Sequence, residues 1–266
     1  MSGSQLARDL AACRSRRGVF AALGTIAGGA LIGACGSRAV GQAAGLATGQ
    51  CFASPPEIRG PFPADGTGGR SGAINVLDLE GIVRSDIRES FAGLRGSAEG
   101  VPLDLEISLV GTAGLCSPLA GWAVYLWQND ARGGYSLYTL PDANYLRGLQ
   151  QAGDDGMVRF RTILPGCYGG RSPHIHFEVF SSIQAAISGE PGVLVSQFAL
   201  PDGECRAVYA ADSRYGESLG NLERLPAARD PVFRDATPEV LARQTIALAG
   251  DGRSGFRGMA TVGVRA

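Results

Sequence analysis

Seven short apolar stretches punctuate the chain, at Leu103–Val110, Gly121–Gln128, Met157–Leu164, His174–Phe180, Val193–Leu200, Gln244–Ala249 and Phe256–Val264. Stretches of this length suit strands better than helices, and most alternate apolar with polar residues. Forty glycines and 14 prolines supply turns between them. The pattern predicts an all-β sandwich with long irregular loops. The segment Ala207–Thr237, rich in Arg, Asp, Pro and Gly, is expected to wrap that sandwich as loops with short helical turns. A hydrophobic content of 45% over 266 residues supports one domain of ordinary size with a full core. A net charge of −1 gives no electrostatic case for a nucleic-acid partner.

The chain has only two histidines, His174 and His176, both in the apolar stretch Pro173–Phe180. Residues i and i+2 of a strand point to one face, so both imidazoles project into the same space. Neutral imidazole is a common metal ligand, and two aimed at one point form half of a metal site. A hydrogen-bonded pair of core histidines is the plainer alternative. The remaining ligands must come from Cys, Asp, Glu or Tyr, because no histidine is left. Tyr168 stands in the glycine-rich turn Pro165–Arg171 that leads into the histidine strand, and Tyr135 follows Gly133-Gly134 just beyond another strong strand. Taken alone, either tyrosine reads as an ordinary packing or turn residue rather than a ligand. Glu178 lies on the histidine face one pair further along, which keeps open a zinc hydrolase built on His174 and His176. A non-catalytic, exported aromatic-binding β-sandwich is a third reading.

The segment Thr162–His176 resembles the signature of the intradiol ring-cleavage dioxygenases. Trp127-Gln128-Asn129-Asp130-Ala131 with Gly134-Tyr135-Ser136 is similar to the family's first-tyrosine segment, and Tyr145–Gln150 and Asp155–Ile163 to the stretch between the tyrosines. Pro55–Phe62 and Arg84–Ile87 fit near the front, so the resemblance covers most of residues 51–264. It implies a β-sandwich enzyme with one non-haem iron(III) per chain. The implied reaction uses dioxygen to open a small catechol-type aromatic diol between its hydroxyl-bearing carbons, giving a muconate-type diacid. It further implies that Tyr135, Tyr168, His174 and His176 are the metal ligands and that Tyr168 is the tyrosinate that leaves the metal when substrate binds. Arg171 would stand beside the bound substrate and Gln197 behind the ligands on the next strand. Phenolate oxygens suit hard iron(III), which a thiolate would not. Cys167 and Gly169 depart from the family pattern, where an aromatic residue and a proline are frequent, and so alter the turn carrying Tyr168.

The front of the chain reads as a targeting segment. Arg16-Arg17 precedes an apolar, glycine-rich run to Ala34 that is too short for a membrane span and resembles a twin-arginine export signal. Leu31–Cys35 resembles a lipobox, which makes Cys35 an expected lipid anchor and the only expected membrane contact. Residues 1–34 are thus expected to be signal, 35–50 a flexible tether and 51–266 the catalytic sandwich, in an exported protein at the cell surface or in the periplasm. Four cysteines lie beyond the leader, Cys51, Cys116, Cys167 and Cys205. An even number in an exported chain favours disulfides, and three pairings are open.

Overall fold

The computed structural model describes residues 51–67, 74–113 and 115–266. The expected signal, the Cys35 anchor and the tether lie outside the described residues. Among the described residues eight strands form two four-stranded sheets. In one, β1 (Pro102–Gly111), β4 (Met157–Ile163), β7 (Ala247–Asp251) and β8 (Gly255–Val264) lie in the order β4-β1-β8-β7. In the other, β2 (Ala123–Trp127), β3 (Arg147–Gln151), β5 (His174–Phe180) and β6 (Leu194–Ala199) lie in the order β3-β2-β5-β6. Every pairing is antiparallel except β1 with β8.

Strand β1 shows why the sheets pack. Leu103, Leu105, Ile107 and Leu109 are buried, while Asp104 and Glu106 turn outward to Arg161, Arg159 and Arg257. Opposite them, Val124 and Leu126 of β2 and Ile175, Phe177 and Val179 of β5 complete the main core. Strands β2 and β5 are buried along their whole length, so their second face is covered too. A second apolar cluster does this, packing Ala64, Val76, Leu77 and Ile82 of the front segment onto Tyr125, Trp127 and Leu149. The histidines project into this outer layer rather than into the space between the sheets.

The apolar stretches became strands with one exception, and one strand lies outside them. The stretch Gln244–Ala249 is divided: Gln244 ends a helix, Pro238–Gln244, capped by the Thr237 side chain with Pro238 at its first turn, and β7 starts at Ala247. Arg147–Gln151, half polar in sequence, is a strand because β2 offers it a partner across Trp127–Ala123. The irregular region is more helical than expected, with helices at Asp202–Ala211 and Ser218–Arg224 and single 3₁₀ turns at Ser213–Tyr215 and Ala227–Arg229. Of the four cysteines, only Cys51 and Cys116 are bridged. Cys167 and Cys205 are free and buried, so the expectation of disulfides throughout is corrected: the turn carrying Tyr168 is secured by other means. Among the described residues no helix is long and apolar enough to cross a membrane.

Candidate metal centre

His174 and His176 open β5, and the ladder fixes their neighbours: Trp127 and Gln197 lie directly across from His176 on β2 and β6. The Trp127 indole stacks on the His176 ring, with centroids 4.9 Å apart and 6° between planes. His174 Nδ1 lies 2.7 Å from the Ser172 carbonyl, so Nδ1 carries the proton and Nε2 is left as the lone-pair nitrogen. That atom is the focus of the site. His176 Nε2 lies 3.1 Å from it, the Tyr135 hydroxyl 3.4 Å and the Tyr168 hydroxyl 3.5 Å. The four sequence-expected ligands are therefore brought together.

Glycine makes the convergence possible. Gly133, with φ +85°, sits against the Tyr168 turn so closely that a Cβ there would lie 2.9 Å from Tyr168 Cβ. The two tyrosine loops can touch only with no side chain between them. Gly60, with φ +75°, lies over His176, where a Cβ would come within 3.1 Å of the ring. The Tyr168 turn is pinned from behind by the helix Ser218–Arg224: Cys167 N–H donates to Ser218 Oγ at 2.9 Å and Asn221 Nδ2 donates to the Cys167 carbonyl at 2.7 Å. The Cys167 thiol donates to the Arg171 carbonyl at 3.2 Å and takes no part at the focus.

Burial, then the Arg171 charge, lowers His174 to about 3. Burial, then neighbouring His174 and Arg171, holds His176 well below its ordinary value. Burial also raises both phenols, Tyr135 strongly, with Tyr168 adding to the rise at Tyr135. At neutral pH the metal-free protein therefore presents two neutral imidazoles and two protonated phenols. A trivalent cation placed among them would make the phenolates the stable form. The donor set fits one: ligands on a common cation at roughly 2.1 Å stand about 3.0–3.4 Å apart, and the separations of 3.1, 3.4 and 3.5 Å from His174 Nε2 fall within or just beyond that range.

Arg171 reaches the same focus. Its Nη1 is 3.2 Å from His174 Nε2, its Nη2 donates to Gln197 Oε1 at 2.7 Å, and its Nε donates to Asp230 at 3.0 and 3.2 Å. Gln197 in turn donates to the Ile58 carbonyl at 2.7 Å. Asp230 is fully buried and also accepts from Ser172 N at 2.6 Å and Val232 N at 2.9 Å. Nothing in the sequence marks Asp230, which stands 59 residues beyond Arg171 in the irregular region. Glu178, the carboxylate a zinc hydrolase would need, is committed elsewhere: Arg59 grips both its oxygens, Nη2 to Oε1 at 2.9 Å, and Gly192 N donates at 3.1 Å. Arg59 also pairs with Asp65 of its own front segment, and its grip on Glu178 ties that segment to this face.

An intradiol ring-cleavage dioxygenase from Tetranychus urticae superposes with a TM-score of 0.60 at 23% identity, covering 80% of this chain and 94% of that one. A second solved dioxygenase gives a TM-score of 0.60 at 23% identity, with 81% and 95% covered. Catechol 1,2-dioxygenase 1 of Acinetobacter lwoffii is 29% identical over 146 residues, 45% of this chain. The matched part spans 46%, just under half, of that curated relative. No protein-family profile matches the chain.

Proposed function

From a chain with the intradiol ring-cleavage dioxygenase fold, we infer a non-haem iron(III) enzyme that opens catechol-type aromatic diols with dioxygen to muconate-type diacids. The observation that carries this reading is the ring of two phenols and two imidazoles around His174 Nε2. Tyr135, Tyr168, His174 and His176 would hold the metal. An iron(III) held there would supply Lewis acidity toward the diol oxygens and an acceptor for the ring's electron density.

The chain's own groups do the remaining work. Tyr168 is less buried than Tyr135 and sits on a turn flanked on one side by Gly169 and Gly170, where added Cβ atoms would meet nothing within 4 Å. Its Oη is thus the phenolate free to swing aside and accept a diol proton. Arg171 presents Nη1 to the focus, where a fixed cation stabilises negative charge on a chelated ring and on the developing product. Gln197 and Asp230 hold the other edges of that guanidinium and prevent its rotation. Trp127 and the backbone at Gly60 cover His176, and Phe62 covers Tyr135.

The test is to load the protein with iron(III) and incubate it with catechol, protocatechuate and hydroxyquinol under labelled dioxygen. Diacids carrying both labelled atoms, together with a visible phenolate-to-iron absorption that changes in Tyr135→Phe and Tyr168→Phe, are the expected results. Yellow semialdehyde products, or full iron loading without oxygen uptake on any diol, would overturn the reading.

A further inference from the structure

Arg147 is completely buried at the start of β3, opposite Trp127 in the ladder. Taking a guanidinium out of water is costly, and most buried arginines are matched by a carboxylate. Here all five N–H donors end on neutral oxygens. Nε donates to Ser136 Oγ at 3.0 Å, and Nη2 to the carbonyls of Ser136 at 2.9 Å and Phe62 at 3.1 Å. Nη1 donates to the Pro63 carbonyl at 2.9 Å and the Tyr125 hydroxyl at 3.2 Å. The fork is fully satisfied, and no shorter cation could repeat it, since lysine has three donors on a single point.

Tyr125 of β2 supplies one acceptor, and the other four belong to two loop segments that Arg147 ties together, beside the Ala64 N–H bond to the Tyr138 hydroxyl at 2.9 Å. Ser136 follows Tyr135 directly. Phe62 stacks on the Tyr135 ring with centroids 4.6 Å apart, and it lies two residues beyond Gly60, the residue against His176. The two segments are more than 70 residues apart in sequence, and no strand ladder joins them. A sandwich needing only stability would fill this position with an aliphatic side chain at lower cost.

We propose that Arg147 is a positioning residue for the metal centre, locking the Tyr135 turn to the Phe62–Pro63 segment so that the Tyr135 ring keeps one orientation over the focus. The naming of Tyr135 as a ligand rests on the proposed function; the clamp itself does not. Arg147 touches neither metal nor substrate and acts through Tyr135 and Phe62.

Arg147→Gln and Arg147→Lys in the full chain test this, with Ser136→Ala as a milder variant that removes one acceptor without altering the buried cation. In metal-free protein, backbone hydrogen exchange should rise at least about tenfold in peptides covering residues 60–66 and 134–138, the effect of losing one charge-assisted hydrogen bond, while β1 and β8 keep their protection. After iron loading, the variants should retain close to one iron per chain, yet their visible absorption should shift and broaden, with Lys recovering little of either. Unchanged exchange in both segments, or a uniform rise across all strands as expected of a purely structural residue, would overturn the proposal. If exchange rises locally but even the unsubstituted protein shows no iron-dependent absorption, the clamp stands and the iron assignment falls. If Arg147→Gln does not fold, Ser136→Ala decides: wild-type exchange at 60–66 in that variant counts against the clamp.

Discussion

Removing Asp230 isolates what holds Arg171 in place. The carboxylate is fully buried, the Arg171 side chain is only 13% exposed, and they meet at 3.0 Å with Ser172 N and Val232 N as further donors. Asp230→Ala would leave a nearly buried guanidinium without its counter-charge and two backbone N–H groups without an acceptor. Breaking a buried pair from one side costs about 3–5 kcal/mol. For a domain of this size that corresponds to a fall in melting temperature of about 6–20 °C. Asp230→Asn keeps the shape and one acceptor but loses the charge, and should cost about 1.5–3 kcal/mol. The acid dependence gives a second check. Burial alone would raise the Asp230 carboxyl, but the Arg171 charge and the three hydrogen bonds outweigh it and hold it below the ordinary value. A carboxyl lowered on folding contributes stability above its unfolded value, near about 3.9, and that contribution disappears as pH falls through the folded value. The gap between wild type and Asp230→Asn in urea unfolding of metal-free protein should therefore be full at pH 6 and shrink below pH about 4. A gap under about 1 kcal/mol at pH 6, or one that does not narrow in acid, would show that Arg171 needs no partner and would refute the positioning argument.

Three further outcomes follow from the same geometry and sequence. Both imidazoles are held neutral by burial, so their folded values lie below the unfolded one; metal-free protein should lose stability as pH falls below about 6.5, by up to about 1.4 kcal/mol per pH unit for each imidazole, and His174→Phe with His176→Phe should flatten that slope in urea titrations. The Cys51–Cys116 bridge spans 65 residues, so Cys51→Ser or Cys116→Ser should cost about 4 kcal/mol in the loop-closure account, and reductant should destabilise only the bridged protein. Export through a twin-arginine signal with a lipid on Cys35 remains a proposal from sequence: Arg16→Lys with Arg17→Lys should retain the chain in the cytoplasm, Cys35→Ala should abolish acylation, and a mature N-terminus beyond residue 35 without lipid would refute the anchor.

The histidine strand was legible because its evidence is local: two residues apart on one strand, they share a face whatever the rest of the chain does. Tyr135 and Tyr168 were legible as chemistry only through the family resemblance, since a tyrosine beside glycines is common. Asp230 was not legible at all, and Arg59 only as a member of a matching segment, with no sign of its partner. Each matters through a partner 59 or 119 residues away, and composition carries no trace of such a pairing. Arg147 stood in a recognised motif, but its five acceptors come from three separate segments, which only the folded chain assembles. The Thr237-Pro238 helix start, by contrast, is a local signal obscured by the apolar run that follows it.

The covering segment has a temporal consequence. Residues 54–66, which cap the histidine face, leave the ribosome before any of the sheet they cover. Their anchors come much later: Glu57 N bonds the Val195 carbonyl, and Ser54 N bonds the carbonyl of Gly263 in the last strand. Contacts of such long sequence separation form late and slowly. The cap can settle fully only once β8 has emerged, so until then the imidazoles face water. Covering of the histidine face is therefore coupled to the arrival of β8, and a ribosome-bound intermediate stalled before β8 should exchange protons at the histidine strand that the folded protein protects.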